Sequence, residues 1–188
     1  ASAVSPGQQF ISLGESLHGY PEYRHKKTGI EFVALPGGQS SMGSPPSREP
    51  TLPEETLHSV TLSPFLIAKY EVTQAQWKKI MGNNPSHFRG DARPVENISR
   101  TDAQKYLTVS GLALPTEAQW EYACRAGVSG LFSGGGWFDN ISKGTTHPVG
   151  QTEPNEFGLF DMQGNVEEIC RDVYDRDFYS KPEARGRD

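Results

Sequence analysis

Short apolar stretches separated by turn-forming residues run through this chain, and their period shifts from about two to between three and four and back again. Glu31 to Leu35 alternates polar and apolar side chains as a half-buried strand does. It stops at Pro36-Gly37-Gly38, where both residue types favour a turn. Strands resume at His58 to Leu62 and Phe65 to Tyr70 across Ser63-Pro64, and the second is apolar enough to lie centrally in a sheet. The stretch from Ser40 to Glu55 is rich in Ser, Pro and Glu and reads as a long loop. Residues 1–28 show little periodicity and read as an extended leader that packs loosely, leaving 29–188 as the domain.

Three short helices follow, each with local start and stop signals. Thr73 and Gln76 form a Thr-x-x-Gln capping box, Trp77, Ile80 and Met81 make one apolar stripe, and Gly82 ends the helix. In the second, Ser99 or Thr101 caps, Ala103, Tyr106 and Leu107 share a face, and Gly111 terminates. Thr116 and Gln119 repeat the capping box in the third, where Trp120, Ala123 and Cys124 share one face and Gly127 closes the run. Cys124 is therefore expected to point inward. Strands broken by long irregular connections with few helices read as an α+β domain.

The composition narrows the partners more than it does the fold. With 18 basic and 23 acidic residues the formal charge is −5, and the longest basic patch, Arg24 to Lys27, is too short for a surface that tracks phosphates, so nucleic acid is not expected. No stretch approaches the roughly 20 apolar residues of a membrane span. Cys124 and Cys170 fit one bridge or two buried thiols and lack a Cys-x-x-Cys spacing. The five histidines share no metal-ligand spacing, and no Gly-x-Ser-x-Gly elbow or nucleotide loop is present.

The stretch from Pro154 to Cys170, PNEFGLFDMQGNVEEIC, is hard to explain by core packing alone. Read with Met42-Gly43, EVT at Glu71 to Thr73, PVENIS at Pro94 to Ser99, LPTEAQWEYA at Leu114 to Ala123 and HPVG at His147 to Gly150, it resembles the sulfatase-modifying-factor family. That family includes the formylglycine-generating enzymes and many non-catalytic relatives. The resemblance implies a variant of the C-type-lectin-like fold, rich in irregular backbone, and favours an extracytoplasmic or secreted setting. Relatives use such loops on a rigid base for catalysis or for binding.

Catalytic members oxidise a sulfatase cysteine to formylglycine with molecular oxygen, on a copper ion held by two cysteines in a C-terminal segment that opens with Arg-Gly-Gly-Ser-aromatic. Nothing in these 188 residues matches that segment, and neither Cys124 nor Cys170 falls at a position of the copper pair, so copper is not expected. The chain also departs from the family after GNV, where Glu167-Glu168-Ile169 replaces Trp-Glu-Trp, and at Arg100, where the family favours Trp.

Calcium is the cofactor the resemblance still implies, with Asp161, Gly164, Val166 and Glu168 at the family's ligand positions. The bland alternative is a turn at Gly164-Asn165 with the acids facing water. Trp137 and Phe138, amid glycines, are candidate contacts for a protein or glycan partner, against a ring folded back over a small core. Two functions follow. The preferred one is a non-catalytic protein- or glycan-binding or scaffolding module; the alternative is the formylglycine-generating oxidase with its copper segment outside this chain.

Overall fold

A computed structural model describes residues 6–44, 56–128, 134–173 and 175. Among the described residues, strands and helices follow in the order β1 (Phe10–Glu15), β2 (Pro21–His25), β3 (Glu31–Leu35), β4 (Gly38–Met42), β5 (His58–Leu62), β6 (Phe65–Ala68), α1 (Gln74–Met81), α2 (Arg100–Ser110), α3 (Glu117–Arg125) and α4 (Asp139–Ser142). The main sheet is antiparallel with order β1-β2-β3-β6, and β4 and β5 form a separate two-stranded ribbon. The remainder of the described residues is irregular, and the domain is α+β with the lectin-like character expected.

Strand β3 divides the interior. Because side chains alternate across a sheet, Val33 and Leu35 enter one core with Ile67, Ala123, Phe157 and Leu159, while Phe32 joins Ile30, Trp77, Val95 and Tyr106 in another. All four residues from Phe32 to Leu35 are buried. The strand is thus covered on both faces, and the half-buried expectation is corrected: Ala34, small and apolar, lets the second face pack as well. A third cluster, Met42, Val60 and Leu62, seats the ribbon against α3.

The helices begin and end where their local signals lie. Thr73 and Thr116 each accept from the backbone N–H three residues on, with Gln76 and Gln119 reaching back, and Ser99 does the same with Asp102. Gly82 and Gly111 end α1 and α2 in the left-handed conformation. Ala126, not Gly127, is the C-cap of α3, at φ 46°. Cys124 is buried, as the helical spacing required.

Two expectations fail. Residues 10–28, read as part of a loose leader, form β1, β2 and a tight turn, with His25 and Thr28 buried and Phe10 packed edge-on against Phe32. Their alternation is hidden because β1 is an edge strand exposed along most of its length, and because its register slips between Ser12 and Gly14. The loop expected from Ser40 starts later: Gly38–Met42 pairs with β5, its polar side chains suiting a ribbon open to water on one face. Residues 45–55 of that loop lie outside the described part, as do 129–133 of the glycine-rich stretch.

Candidate functional site

The segment from Asn155 to Val166 is held by buried side-chain polar groups in place of regular pairing. Asn155 is 2% exposed and uses both ends of its amide. Its Nδ2 donates to the Ala123 carbonyl at 2.8 Å, satisfying one of the carbonyls that the end of α3 leaves over, and its Oδ1 accepts from the Phe157 and Leu159 N–H groups at 3.0 and 3.2 Å. Asp161, equally buried and at φ 55°, accepts from Gly150 N–H at 2.6 Å and from the Thr152 hydroxyl at 3.1 Å.

Three sequence motifs meet at Asn165. Its Oδ1 accepts from His147 N–H at 2.8 Å, and its Nδ2 donates to Glu71 at 2.7 Å and to the His147 carbonyl at 3.1 Å. The Val166 N–H donates to the other Glu71 oxygen at 3.3 Å. Glu71 of EVT, His147 of HPVG and Asn165 of GNV are therefore one network. Spacing gives no sign of it, because the partners lie 94 and 18 residues apart.

Acid crowding marks this network. Burial and the neighbouring Glu168 and Asp161 carboxyls push Glu71 up to about 9, against the lowering effect of the Asn165 and Val166 donors. Glu168 accepts from Trp120 Nε1 at 3.1 Å. Enclosure by protein atoms, with Asp161 nearby, pushes its carboxyl up to about 7, although the side chain opens on a cavity where solvent screens part of the effect. Among the described residues, no ion pair reaches these three acids.

The four positions expected for calcium are thus close in sequence but differently employed. Asp161 has both oxygens on protein donors, Glu168 holds Trp120 at the cavity wall, Val166 uses its N–H on Glu71, and Gly164 sits at φ 90° in the turn. Among the described residues, no three His, Cys, Asp or Glu side chains converge as a metal site.

Trp137 lies flat on the His147 ring, with centroids 3.7 Å apart and planes 13° from parallel, while His147 Nε2 is 2.9 Å from the Ser142 carbonyl. Phe138 is 37% exposed, and Trp137 is partly buried. The Trp137 backbone bridges to Gly164. A Cβ on Gly164 would overlap the Trp137 carbonyl oxygen, and one on Gly136 would overlap the Gln163 carbonyl oxygen, so the two backbones cross at a reciprocal pair of glycines.

Both cysteines are free thiols. Burial raises the Cys124 pKa, and its Sγ lies 3.6 Å from the Met162 carbonyl. Cys170 is pushed up to about 12 by burial and then by Glu168, Glu117 and Asp172. A soft metal or an electrophile needs the thiolate, and both surroundings disfavour it.

On the other side of the network lies a cavity of about 940 Å³. Phe32, Leu66, Trp77 and Tyr106 form much of its apolar wall, with Glu71 and Glu168 at its rim. The chain borders it again at Arg171, whose N–H donates to the Pro115 carbonyl at 2.8 Å, while Arg100 donates to the Cys170 and Arg171 carbonyls. Arg100, the departure from the family's Trp, thus fastens the segment that follows GNV.

Comparison with known proteins agrees with this architecture. The family described as the sulfatase-modifying factor enzyme 1-like domain matches residues 18–186. A chaperone protein, LppX, from Paenibacillus barcinonensis is 32% identical over 177 residues, covering 60% of this chain and 63% of that protein. A formylglycine-generating enzyme from Streptomyces coelicolor is 32% identical over 148 residues, covering 68% of this chain and 46% of the enzyme. The structure of PvdO from Pseudomonas aeruginosa superposes with a TM-score of 0.69 at 26% identity, over 96% of this chain and 80% of that one. The chain spans less than two thirds of the length of the two curated relatives.

Proposed function

This chain belongs to the sulfatase-modifying factor enzyme 1-like family, and we propose that its domain acts as a non-catalytic module that binds or scaffolds a protein or glycan. The observation that carries the reading is the state of the two sulfurs. Oxidation of a substrate cysteine in the catalytic relatives depends on paired thiolates, whereas Cys124 and Cys170 are each held toward the protonated form by burial and by nearby carboxyls. Glu167 and Ile169 after GNV remove two further aromatics of the catalytic pattern. A relative described as a chaperone supports a use of this fold in handling other proteins.

Calcium belongs to the same reading as a structural ion. Asp161, Gly164, Val166 and Glu168 would hold it, and its charge would oppose the burial and the neighbouring carboxyls that raise Glu71 and Glu168. Of the two carboxylates, Glu168 opens toward solvent and is the better placed to reach an ion.

The competing oxidase reading places the copper segment outside these residues, so the assay that separates the two readings uses the full-length protein. Purified protein, supplied with Cu(I) and oxygen, is incubated with a Cys-containing sulfatase peptide and the product mass is followed. No formylglycine is expected; copper-dependent turnover would reverse the assignment.

A further inference from the structure

The turn that joins β2 to β3 holds a histidine out of water. His25 and Thr28 are each 1% exposed. His25 Nδ1 lies 3.0 Å from Thr28 Oγ1, which also accepts from the Ile30 N–H at 3.1 Å. The pairing that leaves neither side chain unmatched has the Thr28 hydroxyl donating to a neutral ring. The ring in turn lies against Phe10, with centroids 5.2 Å apart, and Phe10 meets Phe32 edge-on at 5.5 Å. Phe10 is the residue through which β1 reaches the core; Ile11 to Glu15 are exposed.

We propose that His25 is an acid-operated latch: on taking up a proton it releases Phe10 and loosens the first strand from the sheet. The inference stands apart from what the domain binds. A proton on Nδ1 gives that atom a hydrogen of its own, so the Thr28 hydroxyl hydrogen must turn away, and among the described residues no other acceptor bonds it. The buried pair then carries a charge and an unmatched donor together, each costly out of water. Opening relieves both. The disturbance reaches β1 directly, because Phe10 rests on the ring and the neighbouring Lys26 N–H donates to the Gln9 carbonyl at 2.9 Å.

Among the described residues, the charges that bear on the ring are both positive. Lys27, on the same turn, donates from Nζ to the Val109 carbonyl at the end of α2, and Lys79 comes from α1. Lys26 donates to the Gln8 carbonyl, and Arg24 is paired with Glu31 at 2.7 Å. β1 brings the uncharged Phe10 to the ring, and Tyr106 of α2, in the cluster that receives Phe10, stays neutral because burial pushes it up to about 12. Burial first, then Lys27 and Lys79, hold His25 below its ordinary 6.5. An opened ring takes a proton near 6.5 and the closed one only at lower pH. The latch is therefore fully closed above about 6.5 and is lost as pH falls through the closed-state value.

The test follows amide protection, corrected for intrinsic exchange, from about pH 7.5 down to about 4.5, a window that spans histidine titration. Two amides are compared: Lys26, bonded to Gln9 of the first strand's approach, and Leu159, bonded to Asn155 Oδ1 in the closed core. Lys26 protection should fall by about tenfold or more. Leu159 should hold or gain, since the raised carboxyls of Glu71 and Glu168 stabilise the fold in acid. His25→Gln, which keeps an acceptor for Thr28 and does not titrate, should leave Lys26 flat. Lys79→Glu, at an exposed position on α1, should shrink the fall, because a negative neighbour eases the proton onto the closed ring. Should His25→Gln not fold, the ring of the unaltered protein is titrated by NMR and is expected to protonate below 6.5. The proposal is overturned by a ring that titrates at or above that value, by no fall at Lys26, by a fall that Leu159 shares in step, or by one that persists in His25→Gln.

Discussion

The two faces of β3 look into different interiors. Val33 and Leu35 meet a closed core, knitted to the α3 end by Asn155 and completed by Phe157, Leu159 and Met162. Phe32, one residue away, meets a core that opens into a hollow bordered by β6, beside whose outer edge no described strand lies, and by acids. One strand thus has a closed side and, among the described residues, an open one. The difference lies in the partner: the closed side is capped by an irregular segment whose buried amide leaves few polar groups over, while the open side faces a segment whose aromatics have become Glu167 and Ile169.

Removing side chains from the two faces is the strongest way to break this comparison. Leu159→Ala, at a position 1% exposed, should cost about 2–5 kcal/mol by urea unfolding, whereas Leu66→Ala, half-buried at the cavity wall, should cost about 1 kcal/mol or less. Equal costs would mean that the open face is as tightly packed as the closed one.

An effect of the same order should appear in the pH dependence of stability. Glu71 and Glu168 have folded-state pKa values raised to about 9 and about 7 from the ordinary 4.5. The folded state therefore holds protons that the unfolded state releases, and stability is fully present below about pH 4.5. It falls as pH rises, more steeply up to about 7 and then more gently to about 9. Melting temperature followed from pH 5 to 9 should show this decline, and Glu71→Gln should flatten the part above pH 7. A flat wild-type profile would show that the network is already neutralised, as by a bound cation.

Calcium removal should give the smallest change and sharpens the same contrast. Chelation is expected to lower the melting temperature by a few degrees, because an ion that binds the folded state alone stabilises it. No shift on adding or removing calcium would eliminate Asp161, Gly164, Val166 and Glu168 as its ligands.

The helix ends were legible because a capping box is a pattern of four adjacent residues, and Thr73 with Gln76 or Thr116 with Gln119 carries it without help from the rest of the chain. The family motifs were legible too, as words. Their meeting was not: Glu71, His147 and Asn165 are brought together only by the fold, and no local period encodes a contact across 94 residues. The strands within residues 10–28 are illegible for a different reason, since an exposed edge strand such as β1 needs no apolar alternation and its Gly14 slip breaks what little there is.

The crossing of Gly136 and Gly164 also constrains how this domain can change over time. Each glycine makes room for a carbonyl beside the other, so a methyl group at either position would already force the two backbones apart. A second replacement then has little left to spoil. The two sites should behave as a single genetic character, kept together or lost together.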